Sequence, residues 1–510
     1  MNLVERIDVM FFGFLCLLAL FCPYKKRAAS AFWNRNLHPS RRRQSSRQAS
    51  VSVGKSIDLD VLPTSEDQPI GLYIHIPYCR RRCRYCNFAI VPIGTRPFTE
   101  YSSSSPLALP DDATRGFEKM NDSYLQCLVT ELQRIQRKTN GTKIPLESIY
   151  FGGGTPSLAP IDTIATILKE AYIHDHAPFC LRPGAEISIE MDPGTFTRNK
   201  LQKLKDLGIN RISLGVQSFD DSLLEQIGRI HRKKDVYESL EAIRVVFGPN
   251  PNYSIDLISG LPGLTQTKWL HTLMEATSIQ PRPSHMSIYD LQIEQGTVFS
   301  NWYDRMDAAA TQTTKIPSLP TEDDCAFMYK YAAGYLKSKN YEHYEVSSYA
   351  SRSKGIQAES SRRSRHNQIY WATSSSWYAI GLGATSFVDG RLVARPKTLV
   401  DYESWVNAKG QNSDSDKGTG KKMKEEEYLT DVVMKRLRTS DGLDLEWVQQ
   451  RFGTDITNSI LDGAAMGLDL GLVEIEEFSG ERKILRLRDP DGFLFSNFII
   501  SSIFAELGYE

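Results

Sequence analysis

Acidic residues are absent from a long stretch of this 510-residue chain: from Val9 to Ile57 there is no Asp or Glu. Of the 61 Lys/Arg and 61 Asp/Glu, ten and two fall in residues 1–57, which leaves 51 against 59, a net of −8, beyond them. A mildly acidic body argues against nucleic acid as a partner, because phosphate binding wants a basic surface. Evenly spread cysteines are also missing. Three of the eight, Cys79, Cys83 and Cys86, lie together, while Cys16, Cys22, Cys127, Cys180 and Cys325 are scattered. That excludes a disulfide-stapled secreted scaffold. It also excludes a structural zinc site, which needs four ligands, usually as two close pairs. What is left is a reduced compartment with one metal site.

The N-terminus reads as an address. Val9 to Cys22 is a continuous apolar run of 14 residues, short for a membrane span and the length of a signal core. Nine Lys/Arg follow between Lys25 and Lys55 among many Ser, the composition of an organelle transit peptide. The two together resemble the bipartite presequences of algae with complex plastids. Ala29-Ser30-Ala31-Phe32 matches the motif at the signal/transit junction of that type. A plastid is therefore the expected location, with a mitochondrion or the cytoplasm as alternatives. A single anchor helix would instead bring membrane association.

After Leu62-Pro63 strand and helix patterns alternate about six times. Gly71–Ile76, Ser148–Phe151, Glu186–Met191, Arg211–Val216, Tyr253–Ile258 and His285–Leu291 read as strands, and amphipathic runs such as Met120–Lys138 read as helices. The pattern predicts an α/β protein with a parallel sheet, polar residues at the strand C-ends marking the site. Residues 68–310 are expected to hold this barrel, 320–400 an extension, 409–427 a disordered insertion and 428–510 a small α+β, winged-helix-like cap. Two further stretches, 99–116 and 351–364, read as loops.

The segment CRRRCRYCNF, Cys79–Phe88, carries the chemistry. A 4Fe-4S cluster takes one thiolate per iron, so three thiolates leave one iron open to chelate a ligand. C-x3-C-x2-C directly after a first strand is the signature of the radical S-adenosylmethionine (SAM) superfamily. There the open iron binds the amino and carboxylate groups of SAM, and reduction splits SAM to methionine and a 5′-deoxyadenosyl radical. YIHIPYC, GGGTP, SIE-x-DP, GVQS and IDLISGLPG together resemble the coproporphyrinogen-oxidase-like branch, over roughly residues 70–510. The resemblance implies a partial (β/α)6 barrel with a C-terminal cap and SAM contacts at Tyr73, Gly153, Gly154, Thr155, Glu190, Gln217, Arg229 and Asp256. Tyr85 is expected beside the cluster or the adenine.

Phe88 places the chain within that branch. Bacterial oxygen-independent coproporphyrinogen III oxidases carry a further Cys at this position, whereas relatives with Phe resemble the HemW heme chaperones. His366-Asn367-x-x-Tyr370-Trp371 matches a segment of those relatives implicated in heme binding, which makes His366 the expected heme ligand; imidazole is a common ligand of heme iron. The resemblance implies heme as cargo, apo-hemoproteins as recipients, and an electron donor such as a ferredoxin or flavodoxin. The enzyme alternative is oxidative decarboxylation of coproporphyrinogen III, against which Phe88 argues; a radical SAM enzyme with another substrate is a third reading.

Overall fold

The computed structural model describes residues 68–94, 112–139, 141–303, 316–352, 362–373, 375–409, 421–478 and 482–509. The presequence expected at 1–57, and most of the three loops, lie outside the described residues. Among the described residues no helix is long and apolar enough to cross a membrane.

Six strands pair in chain order, all parallel: β1 (Ile70–Ile76), β2 (Ile144–Gly153), β3 (Phe179–Met191), β4 (Arg211–Gln217), β5 (Tyr253–Ser259) and β6 (His285–Asp290). This is the expected α/β architecture, and the strands alternate with helices that cover the outer face. The extension lengthens the sheet at both ends. A hairpin, β7 (Tyr341–Glu345) and β8 (Ser348–Ser351), pairs antiparallel with β6, while β9 (Ser376–Ile380) lies parallel against the free side of β1.

The strands divide their residues by parity, since successive side chains point to opposite faces. On β4, Ile212, Leu214 and Val216 join the apolar core under the helices, while Arg211, Ser213, Gly215 and Gln217 face the lumen. On β5 and β6 the lumen positions are Ser254, Asp256, Ile258, His285, Ser287 and Tyr289. Ordinary (β/α)8 barrels fill this space with layers of branched apolar side chains. Here polar side chains line it, and two cavities lie within it.

Two stretches expected to be structureless contribute to helices. The helix Asp112–Lys138 starts well before Met120, so residues 112–116 are its first turn rather than loop. Phe117, one residue on, is buried edge-on against Tyr78 with ring centroids 5.1 Å apart, which fastens this end to the barrel. Glu425–Glu427 open the helix Glu425–Leu437, where the Glu427 carboxylate accepts from the Lys424 backbone N–H at 3.1 Å, closing an otherwise free helix N-terminus. The C-terminal unit has its own core, built on that helix, Leu445–Phe452, Thr454–Asp469 and a three-stranded antiparallel sheet.

Candidate functional site

The segment after β1 carries Cys79, Cys83 and Cys86, all unpaired and half-buried, into a cavity of about 150 Å³ at the strand C-ends. The arginines among them hold the loop in shape. Arg81 donates to the carbonyls of Gly228 and Arg229, both at 2.7 Å, and Arg82 donates to that of Phe88 at 2.8 Å. The Arg84 backbone N–H donates to Ile227 O at 3.0 Å. The basic run is thus a set of clamps between the cysteine loop and the 226–229 turn.

Burial pushes the Cys79 thiol up and the Cys86 thiol up to about 11. As free thiols both are protonated, and an iron that binds them must displace those protons. Among the described residues no three His, Cys, Asp or Glu lie close enough to hold a single metal ion. A cubane spreads its thiolates over separate irons, so three thiols on one cavity wall, with no fourth beside them, fit a cluster with one open iron.

The glycine turn after β2 forms the next wall. Gly154 donates its N–H to Ile76 O at 2.9 Å, and a Cβ there would stand 2.6 Å from Pro77 O. At Gly153 φ is +117° and a Cβ would meet the His75 ring at 2.5 Å, so only glycine fits. Gly153 N–H and Tyr150 OH donate to Glu190 at 3.0 and 2.9 Å. Burial nevertheless raises the Glu190 carboxyl to about 8. Thr155 Oγ1 donates to Asp192 at 3.1 Å and lies 3.6 Å from Cys79 Sγ.

Arg229 is the hub. Its guanidinium pairs with Asp192, donates to Gly215 O at 2.8 Å and points Nη1 at Cys83 Sγ, 3.7 Å away. Gln217 ends β4 in the left-handed region (φ 64°), uncommon for a non-glycine residue. Burial lifts Asp256 to about 6, against the hydroxyls of Ser287 and Ser213. Gly153, Gly154, Thr155, Glu190, Gln217, Arg229, Asp256 and Tyr85 therefore share one cavity with the three cysteines.

Two expected residues are placed differently. Tyr73 lines an inner chamber below this cavity, not the cavity itself, and its hydroxyl lies 3.1 Å from His75 Nδ1. His366 is a floor residue: it is 0 % exposed and lines neither space. Its Nδ1 meets Ser148 Oγ and its Nε2 meets Tyr370 OH, both at 2.7 Å, and its ring stacks on Tyr150. Burial drops its pKa to about 3, so it is neutral. The residue expected as the heme ligand is thus, in this fold, a buried imidazole with both nitrogens engaged. Phe88 lies on the wall common to cavity and chamber. Asp192 is the residue whose centrality sequence reasoning missed; the alternation Ser213-x-Gly215, Ser254-x-Asp256 and His285-x-Ser287 on β4–β6 was the signal for a polar lumen.

The Radical SAM superfamily profile matches residues 73–276, and that of the HemN C-terminal domain matches 423–478. The Escherichia coli radical SAM enzyme coproporphyrinogen III oxidase (HemN) has the same fold: TM-score 0.65, 20% identity, 87% of this chain and 92% of that one. The chain is thus a radical SAM protein. It is 33% identical to heme chaperone HemW of Synechocystis over 86% of its own length and 97% of that protein. It is also 31% identical to heme chaperone HemW of Escherichia coli, over 65% of this chain and 74% of that one. To the bovine "Radical S-adenosyl methionine domain-containing protein 1, mitochondrial" it is 30% identical, over 79% and 80%. The chain belongs to the HemW family.

Proposed function

We propose that this protein binds heme and delivers it to apo-hemoproteins, with a 4Fe-4S cluster on Cys79, Cys83 and Cys86 and SAM beside it. The observation that carries the reading is the likeness to the Synechocystis heme chaperone across nearly the whole of that protein. Phe88 supports it, because an apolar ring stands where the oxidases' extra thiol would be. A bound cluster would supply the electron for reductive chemistry on SAM, drawn from a donor such as a ferredoxin or flavodoxin. The chain's own contribution is positional. The side-chain-free Gly153–Gly154 turn lets the amino-acid end of SAM approach the backbone closely and Glu190 offers it a carboxylate, while Arg229 and Asp192 fix the cysteine loop against β4.

Glu190 gives that arrangement a pH signature. In the ligand-free fold its carboxyl is raised to about 8, so its contribution to stability is complete below its unfolded value and fades as pH rises through about 8. An ammonium ligand needs the ionised form. SAM affinity should therefore climb with pH, by up to about tenfold per unit below that value, and flatten in Glu190→Gln. Equilibrium dialysis of labelled SAM reads this directly; a flat wild-type profile would rule out Glu190 as the ammonium partner.

Heme ligation by His366 is kept as part of the proposal, on the resemblance alone. It requires the 365–371 helix to move and one of the two imidazole hydrogen bonds to break. His366→Ala should lower heme retention while leaving the iron–sulfur absorbance of the folded protein intact; undiminished retention would assign the iron to another residue. Import into an organelle, a plastid by the composition of residues 1–57, is a further part. A fluorescent fusion of those residues should enter a plastid. A mitochondrial signal would instead match the bovine relative's name, and a cytosolic one would end the targeting argument.

A further inference from the structure

The inner chamber continues below the SAM-side cavity toward the N-terminal ends of the strands, and nothing in the cluster chemistry uses its lower half. It has a volume of about 50 Å³, room for a few water-sized groups and none for a porphyrin. Its lower wall carries Arg211 from the start of β4 and His285 from the start of β6. Arg211 is 4 % exposed and His285 1 %. Each holds a buried nitrogen without a protein hydrogen-bond partner: Nη2 of Arg211 and Nδ1 of His285. Buried polar nitrogens in native proteins are nearly always satisfied, and one left alone is costly.

Arg211 Nη2 is a donor outright, and His285 Nδ1 is one in the tautomer whose Nε2 accepts from Tyr344. The guanidinium has no acceptor, and its Nη1 faces Asn252 Oδ1 at 3.2 Å and Glu186 at 3.5 Å. His285 Nε2 lies 2.8 Å from Tyr344 OH, whose oxygen also accepts from the Ser364 backbone N–H at 3.4 Å. In the tautomer in which Nε2 accepts from Tyr344, the ring's own proton sits on Nδ1. Hydroxyls of Ser213 and Ser254, 2.8 Å apart, line the same chamber. Its other end opens past Gly383 beside the exposed Lys397, a cation at the entry.

We propose that the lower lumen is a carboxylate site, in which Arg211 Nη2 and His285 Nδ1 donate to the two oxygens of one carboxylate that enters past Lys397. Two donors lining one chamber, one of them charged, suit a planar oxyanion. Glu186 balances Arg211 without filling its inward valence, so the site takes a single carboxylate and not a phosphate. The carboxylate comes either from a free small acid or from a propionate arm of the tetrapyrrole cargo reaching down past Phe88.

The test is ¹³C-acetate titration of the cluster-loaded protein, read by broadening of the acetate resonance. Saturable broadening is expected, weakened roughly tenfold or more in Arg211→Lys, which keeps the charge opposite Glu186 but loses the fork. The paired variant Glu186→Gln/Arg211→Gln, neutral throughout, should lose the binding with iron–sulfur absorbance unchanged. Competition by hemin identifies the propionate as the source; acetate binding indifferent to hemin identifies a free acid. Absence of saturable broadening in the wild type, or equal broadening in both variants, overturns the proposal and leaves the lower lumen a water-filled channel. None of these outcomes depends on whether His366 ligates heme.

Discussion

Alanine at any one of Cys79, Cys83 or Cys86 abolishes the visible iron–sulfur absorbance of the reconstituted protein. Each thiol lines the same cavity, and no other described cysteine lies there: Cys127 packs in the core under the helices, while Cys180 and Cys325 stand on other elements. A cluster held by these three thiolates, one per iron with one iron open, would have no spare ligand among the described residues to take over. Alanine at Cys127, Cys180 or Cys325 leaves the absorbance in place. Iron content and the visible spectrum check both halves, and a cluster that survives Cys83→Ala would refute the ligand assignment.

Arg229→Ala comes next in size. The guanidinium is buried, and it serves Asp192, the Gly215 carbonyl and the Cys83 sulfur at once. Its removal strands the Asp192 carboxylate and opens the contact between the cysteine loop and β4. Breaking a buried ion pair from one side costs about 3–5 kcal/mol. Asp192 keeps roughly a quarter of its side-chain surface in water, so the lower end of that range is expected here, with cluster loading reduced in parallel. Denaturant unfolding of the apo-protein measures the first effect and iron content the second. A loss below about 1 kcal/mol, the worth of an exposed pair, would mean that Asp192 finds its own solvent.

Why the sequence was readable in some places and silent in others follows from how local each signal is. The six barrel strands are short apolar or alternating runs bounded by turn residues, so Gly71–Ile76 or Arg211–Val216 could be placed within a residue or two. The cysteine spacing and the glycine turn are contiguous motifs, and the resemblance they carried led to residues that share one cavity. What the chain could not announce is pairing at a distance. β9 lies beside β1 although some 300 residues separate them, and nothing in SWYAI names its partner. Tyr73 and His366 were read as contacts because their motifs recur in relatives. Their placement depends on which strand face they occupy and what closes the barrel floor, a tertiary matter. The polar lumen was legible in principle: Ser213, Ser254 and His285 are register partners on three consecutive strands, and Asp256 pairs with Ser287 one lumen position on, a pattern that an apolar barrel core would not show.

Heme delivery and not porphyrinogen oxidation is the function proposed for this radical SAM scaffold. Anaerobic hemin titration of the cluster-loaded protein lacking residues 1–57, followed by mixing with an apo-hemoprotein, tests it most directly. Saturation near one heme per chain, with transfer to the acceptor and no conversion of coproporphyrinogen III in a parallel reaction with SAM and reductant, is the expected result. Failure to retain heme, together with formation of protoporphyrinogen, would contradict the claim and return the chain to the oxidase chemistry that Phe88 argues against.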